Sequence, residues 1–109
     1  YLRAGETGLL GLGFPESYGG TDCDGFAKLL LTLELTRAGS GGIVAGLMSH
    51  GIGLPPIVAL GSSSLKDRIV PAVLRGEMIC ALAITEPEVG SDVAALRTTA
   101  RREGDHYVL

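Results

Sequence analysis

Six residues that can form hydrogen bonds or admit a ligand lie within eight consecutive positions: Thr85, Glu86, Glu88, Gly90, Ser91 and Asp92. Hydroxyl groups both donate and accept hydrogen bonds, and a glycine lets a ligand approach the main chain because it has no Cβ. These residues suit a planar heterocycle with carbonyls and ring nitrogens, or a phosphate ester. They also suit a capped turn in which the Asp92 carboxylate accepts main-chain N–H groups. Residue types alone leave both interpretations open.

The residues on either side of this polar group predict the start of an antiparallel sheet. The run "MICALAIT" (78–85) is short, apolar and bounded by turn residues, which predicts a buried strand. The run "LRTTARR" (96–102) alternates in polarity and predicts a half-exposed strand. "EGDH" (103–106) is typical of a hairpin turn, and "YVL" (107–109) begins the returning strand. The polar group would therefore lie at the end of the first strand.

The residues before 78 predict helices. "FAKLLLTLELTRA" predicts a helix from residue 24 or 25 to Ala38, capped by Asp24 and packed on two sides because its apolar residues cover more than one face. Glycines and two prolines should divide 43–60 into two short helices. Ser62 or Ser63 should cap a further helix that Pro71 kinks or splits and Gly76 ends. The fold class is thus mainly α, with a helical domain at 1–78 and the start of an antiparallel β-domain at 79–109.

Composition excludes several kinds of partner. The net charge is −3, and no run of Lys or Arg forms a basic stripe of the kind that binds nucleic acid. No metal-ligand spacing is present, and Cys23 and Cys80 suggest two reduced thiols in a cytoplasmic protein. No apolar run reaches the roughly 18 residues of a membrane span. The chain begins without Met and stops inside a predicted strand, so we expect a piece of a longer protein.

The stretch "AITEPEVGSDVAA" (83–95) resembles the signature of the acyl-CoA dehydrogenase family. That signature has a small or apolar pair, Ser or Thr, Glu, two free positions, a small residue, Gly, Ser or Thr, Asp, two free positions and a small residue. The sequence meets it if Val89 is accepted where the family has a smaller side chain. "GLGFPESYGG", "ALGSSSLKDRIVPAVLRGE" and "EGDHYVL" resemble further family segments in the same order. The resemblance therefore covers nearly the whole chain.

The resemblance implies an FAD enzyme that oxidises an acyl-CoA thioester, with removal of a Cα proton and transfer of a Cβ hydride to the flavin. It places these residues beside FAD: Leu82, Ala83, Ile84, Thr85, Gly90 and Ser91. Ser91 would also touch the substrate. It gives Glu86 a structural role, and the catalytic base belongs to a later helical domain that this chain lacks. It also implies fatty acid β-oxidation, electron transfer flavoprotein as acceptor, a dimer or tetramer, and the mitochondrial matrix if the source is eukaryotic.

Two other functions stay open at this point. A relative could use the same loop with oxygen, as an acyl-CoA oxidase or flavin monooxygenase, or the chain could be a helical interaction module without chemistry. Gly46 and Met48 could line the acyl pocket that the resemblance places beside 42–50. His50 is expected to be a packing or surface residue, and His106 to be exposed. The arginines at 97, 101 and 102 are expected to form a solvated face.

Overall fold

The computed structural model describes residues 1–109 and shows five α-helices followed by a small β-hairpin. The elements are α1 (Leu2–Glu6), α2 (Gly25–Thr36), α3 (Gly41–Leu47), α4 (His50–Leu60), α5 (Ser63–Leu74), β1 (Arg101–Glu103) and β2 (His106–Val108). Three short 3₁₀ turns, Leu9–Gly11, Glu16–Tyr18 and Val93–Ala95, complete the secondary structure. The prediction of a mainly helical chain that ends in antiparallel strands is confirmed.

Local capping residues set where the two longest predicted helices begin. The Asp24 carboxylate accepts a hydrogen bond from the main-chain N–H of Ala27 at 2.9 Å, at the start of α2. The Ser62 hydroxyl accepts one from the N–H of Leu65 at 3.3 Å, at the start of α5. Both satisfy N–H groups that have no partner within a helix. The two predicted caps are confirmed, with Ser62 as the cap of α5.

The end of α5 is fixed by a glycine, as predicted. Gly76 has φ +75, a left-handed conformation that residues with a Cβ rarely adopt. Its N–H donates to the carbonyl of Val73, and the N–H of Glu77 donates to the carbonyl of Ala72, both at 2.9 Å. This pair of bonds is the Schellman arrangement, which satisfies carbonyls left over at a helix end.

The prolines behave differently from the prediction. The break between α3 and α4 falls at Met48 and Ser49, while Pro55 and Pro56 lie inside α4. α5 continues through Pro71 to Leu74 without splitting. A proline leaves the carbonyl one turn earlier without a helical donor. Here the residues that carry those carbonyls are exposed, so water can satisfy them: Gly51, Ile52 and Asp67.

The segment 41–60 corrects one expectation from composition. It spans 20 residues with a mean hydropathy of 1.7, long and apolar enough to cross a membrane on those two criteria alone. The core helices of globular proteins meet the same criteria. In this chain the helix breaks at Met48, and the buried His50 side chain lies 2.8 Å from the Leu10 carbonyl oxygen.

The hydrophobic core lies between α4 and α5. Its four buried side chains are Leu54, Val70, Val73 and Leu74. Phe14 and Tyr18 pack against them from the loop at 8–20, which we call the glycine-rich loop. Cys80 packs against them from the segment after α5. Each buried aliphatic side chain of this kind contributes about 1.5–3 kcal/mol relative to exposure. This core therefore fixes the point from which the chain leaves for residues 81–100.

The helix α2 is not packed on two sides, so that prediction is wrong. None of its residues is buried, and four of its large apolar side chains are about half exposed or more: Phe26, Leu29, Leu30 and Leu33. The apolar pattern of a helix specifies that the helix needs cover, but not which segment provides it. Within this chain α2 contacts chiefly α3.

Only the hairpin of the predicted sheet forms. β1 and β2 pair antiparallel with Glu103 opposite His106, and Gly104 begins the turn with φ +63. The predicted strand at 78–85 is absent, because residues 79–85 make no main-chain hydrogen bonds and a strand needs a bonded neighbour. The second predicted strand is shorter than expected, since 96–100 are unpaired and β1 begins at Arg101.

Candidate functional site

The close approach of the chain to α4 positions the candidate site. A Cβ on Gly53 would lie 2.8 Å from the Cys80 sulfur and 3.2 Å from main-chain atoms of Ala81. Because Gly53 has no side chain, residues 80 and 81 can cross the helix in direct contact with it. Burial raises the pKa of the Cys80 thiol, so this cysteine stays protonated and packs as a small apolar group. Both cysteines are unpaired, as predicted.

A tight turn follows the crossing and brings the two halves of the predicted site together. The N–H of Glu86 donates to the carbonyl of Val89 at 2.9 Å, and the N–H of Val89 donates back to the carbonyl of Glu86 at 3.2 Å. This antiparallel bridge encloses Pro87 and Glu88. Thr85 precedes Glu86 and Gly90 follows Val89, so these two residues lie side by side at the open end of the turn. The Val89 side chain is buried, which anchors the turn.

The residues predicted to contact a cofactor are accessible. Leu82, Ala83, Thr85, Gly90 and Ser91 are exposed, and Ile84 is half-buried. All side-chain hydrogen bonds of residues 85–98 involve Glu86 or Glu88, so the hydroxyls of Thr85 and Ser91 have no partner within the chain. No atom lies within 4 Å of the position that a Cβ on Gly90 would occupy. The structure brings these groups to one exposed edge of the chain.

Glu86 is the most heavily bonded residue of the group. Its carboxylate accepts the N–H of Thr98 at 2.7 Å and that of Arg97 at 3.0 Å. A hydrogen bond from the Thr98 side chain, and then the two N–H groups, hold the pKa of Glu86 below its ordinary value of 4.5. A general base works best with a pKa near the operating pH. Glu86 is therefore a weak base with its oxygens occupied, in agreement with the expected structural role.

Asp92 does not make the predicted cap. The 3₁₀ turn after it closes through the main chain, since the N–H of Ala95 donates to the Asp92 carbonyl at 3.0 Å. The Asp92 carboxylate makes no capping bond. The turn is satisfied by its own backbone, which leaves the side chain in solvent.

The charged residues around the loop are exposed. The Glu88 carboxylate and the Arg97 guanidinium form an ion pair at 2.7 Å, with about three-quarters of each side chain exposed. Arg101 pairs with Glu103, and Arg102 donates to the carbonyl of Gly104. The three arginines are exposed to solvent, as expected, but 101 and 102 are consecutive residues of β1 and lie on opposite faces of the hairpin, so they do not form one face.

The two histidines lie where the sequence places them. His50 is buried with its ring nitrogens near the carbonyl oxygens of Leu10 and Leu47, at 2.8 and 3.3 Å, and its ring is 5.6 Å from that of Phe14. It is a packing residue that ties the first 3₁₀ turn to α4. His106 is exposed and bonded to Asp105 at 3.1 Å.

A separate cavity of about 430 Å³ lies between α2, α4 and the glycine-rich loop. Met48, Phe14 and Lys28 help to line it, but none of residues 82–91 does. Gly46, the other residue suggested for an acyl pocket, does not line it, and its carbonyl instead accepts a hydrogen bond from the Tyr1 hydroxyl. Apart from Met48, no sequence pattern predicts this cavity, because residues from three distant segments form it.

Comparison with known proteins defines the class. The family model described as "Acyl-CoA dehydrogenase, N-terminal domain" matches residues 1–77. A probable acyl-CoA dehydrogenase of Bacillus subtilis (strain 168) is 46% identical over 110 residues, which cover 98% of this chain and 18% of the relative. The chain belongs to the acyl-CoA dehydrogenase family.

Solved structures agree with this assignment over almost the whole chain. The crystal structure of a probable acyl-CoA dehydrogenase from Mycobacterium abscessus matches with a TM-score of 0.88 and 51% identity, over 97% of this chain and 28% of that chain. An acyl-CoA dehydrogenase complexed with FAD from Bacillus anthracis matches with a TM-score of 0.76 and 38% identity, over 97% of this chain and 19% of that one. The chain thus spans between about a fifth and about a quarter of these relatives.

Proposed function

We propose that this chain forms part of an FAD-dependent acyl-CoA dehydrogenase, which oxidises an acyl-CoA thioester to the trans-2-enoyl-CoA. The observation that carries the proposal is the exposed edge at 82–91, where two unpartnered hydroxyls flank a turn beside an unobstructed glycine. Family membership and the FAD complex of the Bacillus anthracis relative support it.

The residues of this edge fit a flavin and a thioester. The unpaired main-chain groups of 79–85 and the Thr85 hydroxyl offer donors and acceptors to a ring with carbonyls and nitrogens. The open space at Gly90 permits a phosphate or thioester to approach the main chain, and the Ser91 hydroxyl can bond to either. Bound FAD would supply the acceptor for the hydride that leaves Cβ. Donors fixed beside the ring stabilise the negative charge that reduction places there.

The proposal assigns no base to this chain. Glu86 lies within this edge, but its lowered pKa and occupied oxygens make it unsuited to removing a Cα proton. We propose that the base belongs to another segment of the whole protein. The chain then contributes binding and orientation rather than proton transfer.

A colour change tests the function. The purified whole protein should be yellow and should bleach when an acyl-CoA is added without oxygen, because a bound flavin loses its yellow absorption band on two-electron reduction. A colourless protein that takes up no FAD would contradict the proposal. Acyl-CoA substrates of graded length and branching would then define the preferred chain, which the residues described here do not specify.

We further propose acyl-CoA as the substrate and electron transfer flavoprotein as the electron acceptor. Rapid reduction of added electron transfer flavoprotein, with little peroxide formed, supports a dehydrogenase. Oxygen consumption and peroxide formation would point instead to an oxidase or monooxygenase of the same family.

The exposed apolar residues of α2 support one more proposal, that the whole protein is a homo-oligomer. Side chains such as Leu29 and Leu33 are about half exposed here, and a contiguous exposed apolar patch usually marks an interaction surface. Sedimentation of the whole protein should show a dimer or tetramer, and a monomer would contradict the proposal.

A further inference from the structure

We infer that Glu86 is a positioning residue that holds the flavin-binding edge in place by clamping the two ends of the loop 86–98. This inference rests on the function proposed above. It assigns the role to a definite set of bonds: the Glu86 carboxylate accepts the N–H groups of Arg97 and Thr98, which we call the Glu86 clamp.

The clamp closes a long loop that little else holds. Residues 90–100 make only two main-chain hydrogen bonds with one another, from Ala95 to Asp92 and from Leu96 to Val93. Both bonds lie within the 3₁₀ turn and do not connect it to the rest of the chain. All residues from 90 to 100 are exposed, so burial does not restrain them either. The clamp is therefore the main connection between the start of the loop and its end.

The clamp acts on the residues that the proposed function needs. Glu86 follows Thr85 directly, and its main chain is bridged to Val89, which precedes Gly90. Both the side chain and the main chain of Glu86 are therefore hydrogen-bonded, which restrains the position of this residue. Holding Glu86 fixes the position of the Thr85 hydroxyl on one side and the direction of the chain into Gly90 and Ser91 on the other.

The ionised carboxylate is suited to this task. A carboxylate accepts several hydrogen bonds, and such charge-assisted bonds are stronger than neutral ones. A glutamine has nearly the same shape, but in either orientation its NH₂ group would face an N–H group that a carboxylate oxygen now accepts, that of Arg97 or that of Thr98. Glu86→Gln therefore removes the charge and at least one bond of the clamp, with a minimal change in volume.

The matched control is Glu88→Gln on the same loop. Glu88 pairs only with the exposed side chain of Arg97, and exposed pairs contribute little. The variant removes one negative charge two residues away and leaves the clamp intact. Glu86→Asp, with a carboxylate one methylene shorter, serves as a second variant that keeps the charge.

The experiment measures amide hydrogen exchange and steady-state kinetics on the whole protein. In Glu86→Gln the amides of Arg97 and Thr98 should exchange about tenfold faster or more, as expected for losing a hydrogen bond to a charged group. kcat should fall by at least about tenfold because displaced groups no longer meet the reacting atoms, with a smaller change in KM. Glu86→Asp should be intermediate, and Glu88→Gln should match the unmodified protein in both measurements.

Unchanged exchange at Arg97 and Thr98 would overturn the inference, as would faster exchange with unchanged kcat. An effect of Glu88→Gln as large as that of Glu86→Gln would also overturn it, because loop charge rather than the clamp would then be responsible. The proposed function fails on a different result, an unmodified protein that binds no flavin.

Discussion

The helical part of the chain and the segment after it are held together by different interactions. Nine of the ten buried residues lie before residue 78, and the tenth is Val89. The segment 78–100 relies on one tight turn and on the polar bonds of Glu86. Burial of apolar side chains contributes more to stability than exposed polar contacts do. The helices therefore supply the stability, and the segment keeps its donors and acceptors free for a ligand.

Because of this difference, substitutions in the two regions should affect different properties of the protein. A change in the helical part should lower stability whether or not a ligand is present. A change at the exposed edge should leave stability nearly unaltered and affect binding.

The largest effect is expected for Leu54→Ala. Leu54 is fully buried in the core between α4 and α5, so truncation leaves a cavity and costs about 2–5 kcal/mol of unfolding free energy. Urea unfolding of the whole protein, followed by circular dichroism, measures the loss. Leu82→Ala is the control, because Leu82 is 48% exposed and its truncation should cost about 0.5 kcal/mol or less. Equal losses would remove the proposed difference between the two regions.

A pair of glycines gives the next comparison. A Cβ on Gly20 would lie 2.2 Å from the carbonyl oxygen of Phe14, so Gly20→Ala should force the glycine-rich loop apart and cost about 1–3 kcal/mol. Gly90→Ala meets no atom within 4 Å and should leave the unfolding free energy unchanged, while weakening FAD binding. Thermal unfolding and flavin titration on both variants check this. A strong stability loss at Gly90 would show that the edge is packed.

The sequence predicted most where the determining interaction is local. Asp24 and Ser62 each accept a hydrogen bond from an N–H group three residues further along the chain, and Gly76 ends a helix through its own conformation. These interactions involve only neighbouring residues, so they can be predicted from the local sequence. The prediction of a strand at 78–85 is wrong because strand formation depends on a distant partner strand, which no pattern within the run specifies. The packing of α2 also depends on distant residues. Its apolar side chains indicate that the helix packs against another segment, but they do not specify which one.

The candidate site shows the same limit. The residue types and the family resemblance predict a site at 82–91, and the structure shows these residues on an exposed edge. The bonds from Glu86 to Arg97 and Thr98 span eleven and twelve residues and have no sequence signal. Asp92 was expected to cap the turn because of its type, yet the main chain supplies that bond.

Acid should reveal the Glu86 clamp through its effect on stability. The folded state lowers the pKa of Glu86 below its ordinary value of 4.5. Its stabilising contribution is therefore complete above that value, and it is lost as the pH falls through the lower folded-state pKa. In Glu86→Gln this part of the acid dependence should disappear, so the difference in stability between the two proteins should shrink below pH 4.5. A difference that stays constant from pH 7 to acid pH would contradict an ionised clamp.

The smallest effect is expected for Glu88→Gln. The pair with Arg97 is largely exposed, and such pairs contribute about 1 kcal/mol or less. The small loss should vanish in high salt, which screens exposed charges. Unfolding at low and high salt measures it. A loss that persists in high salt would mean that this ion pair is part of the loop's support.

The assignment of the edge at 82–91 to the cofactor is tested by Thr85→Ala in the whole protein, with FAD binding and unfolding measured on the same preparation. Because the Thr85 hydroxyl has no partner within the chain, its removal should change the unfolding free energy of the FAD-free protein by about 0.5 kcal/mol or less. Loss of one hydrogen bond to the flavin should weaken FAD binding about threefold to tenfold. Thr36→Ala on α2, far along the chain from the edge, should leave FAD binding unchanged. Unchanged FAD affinity in Thr85→Ala, or lower stability without any loss of flavin affinity, would contradict the assignment of this edge to the cofactor.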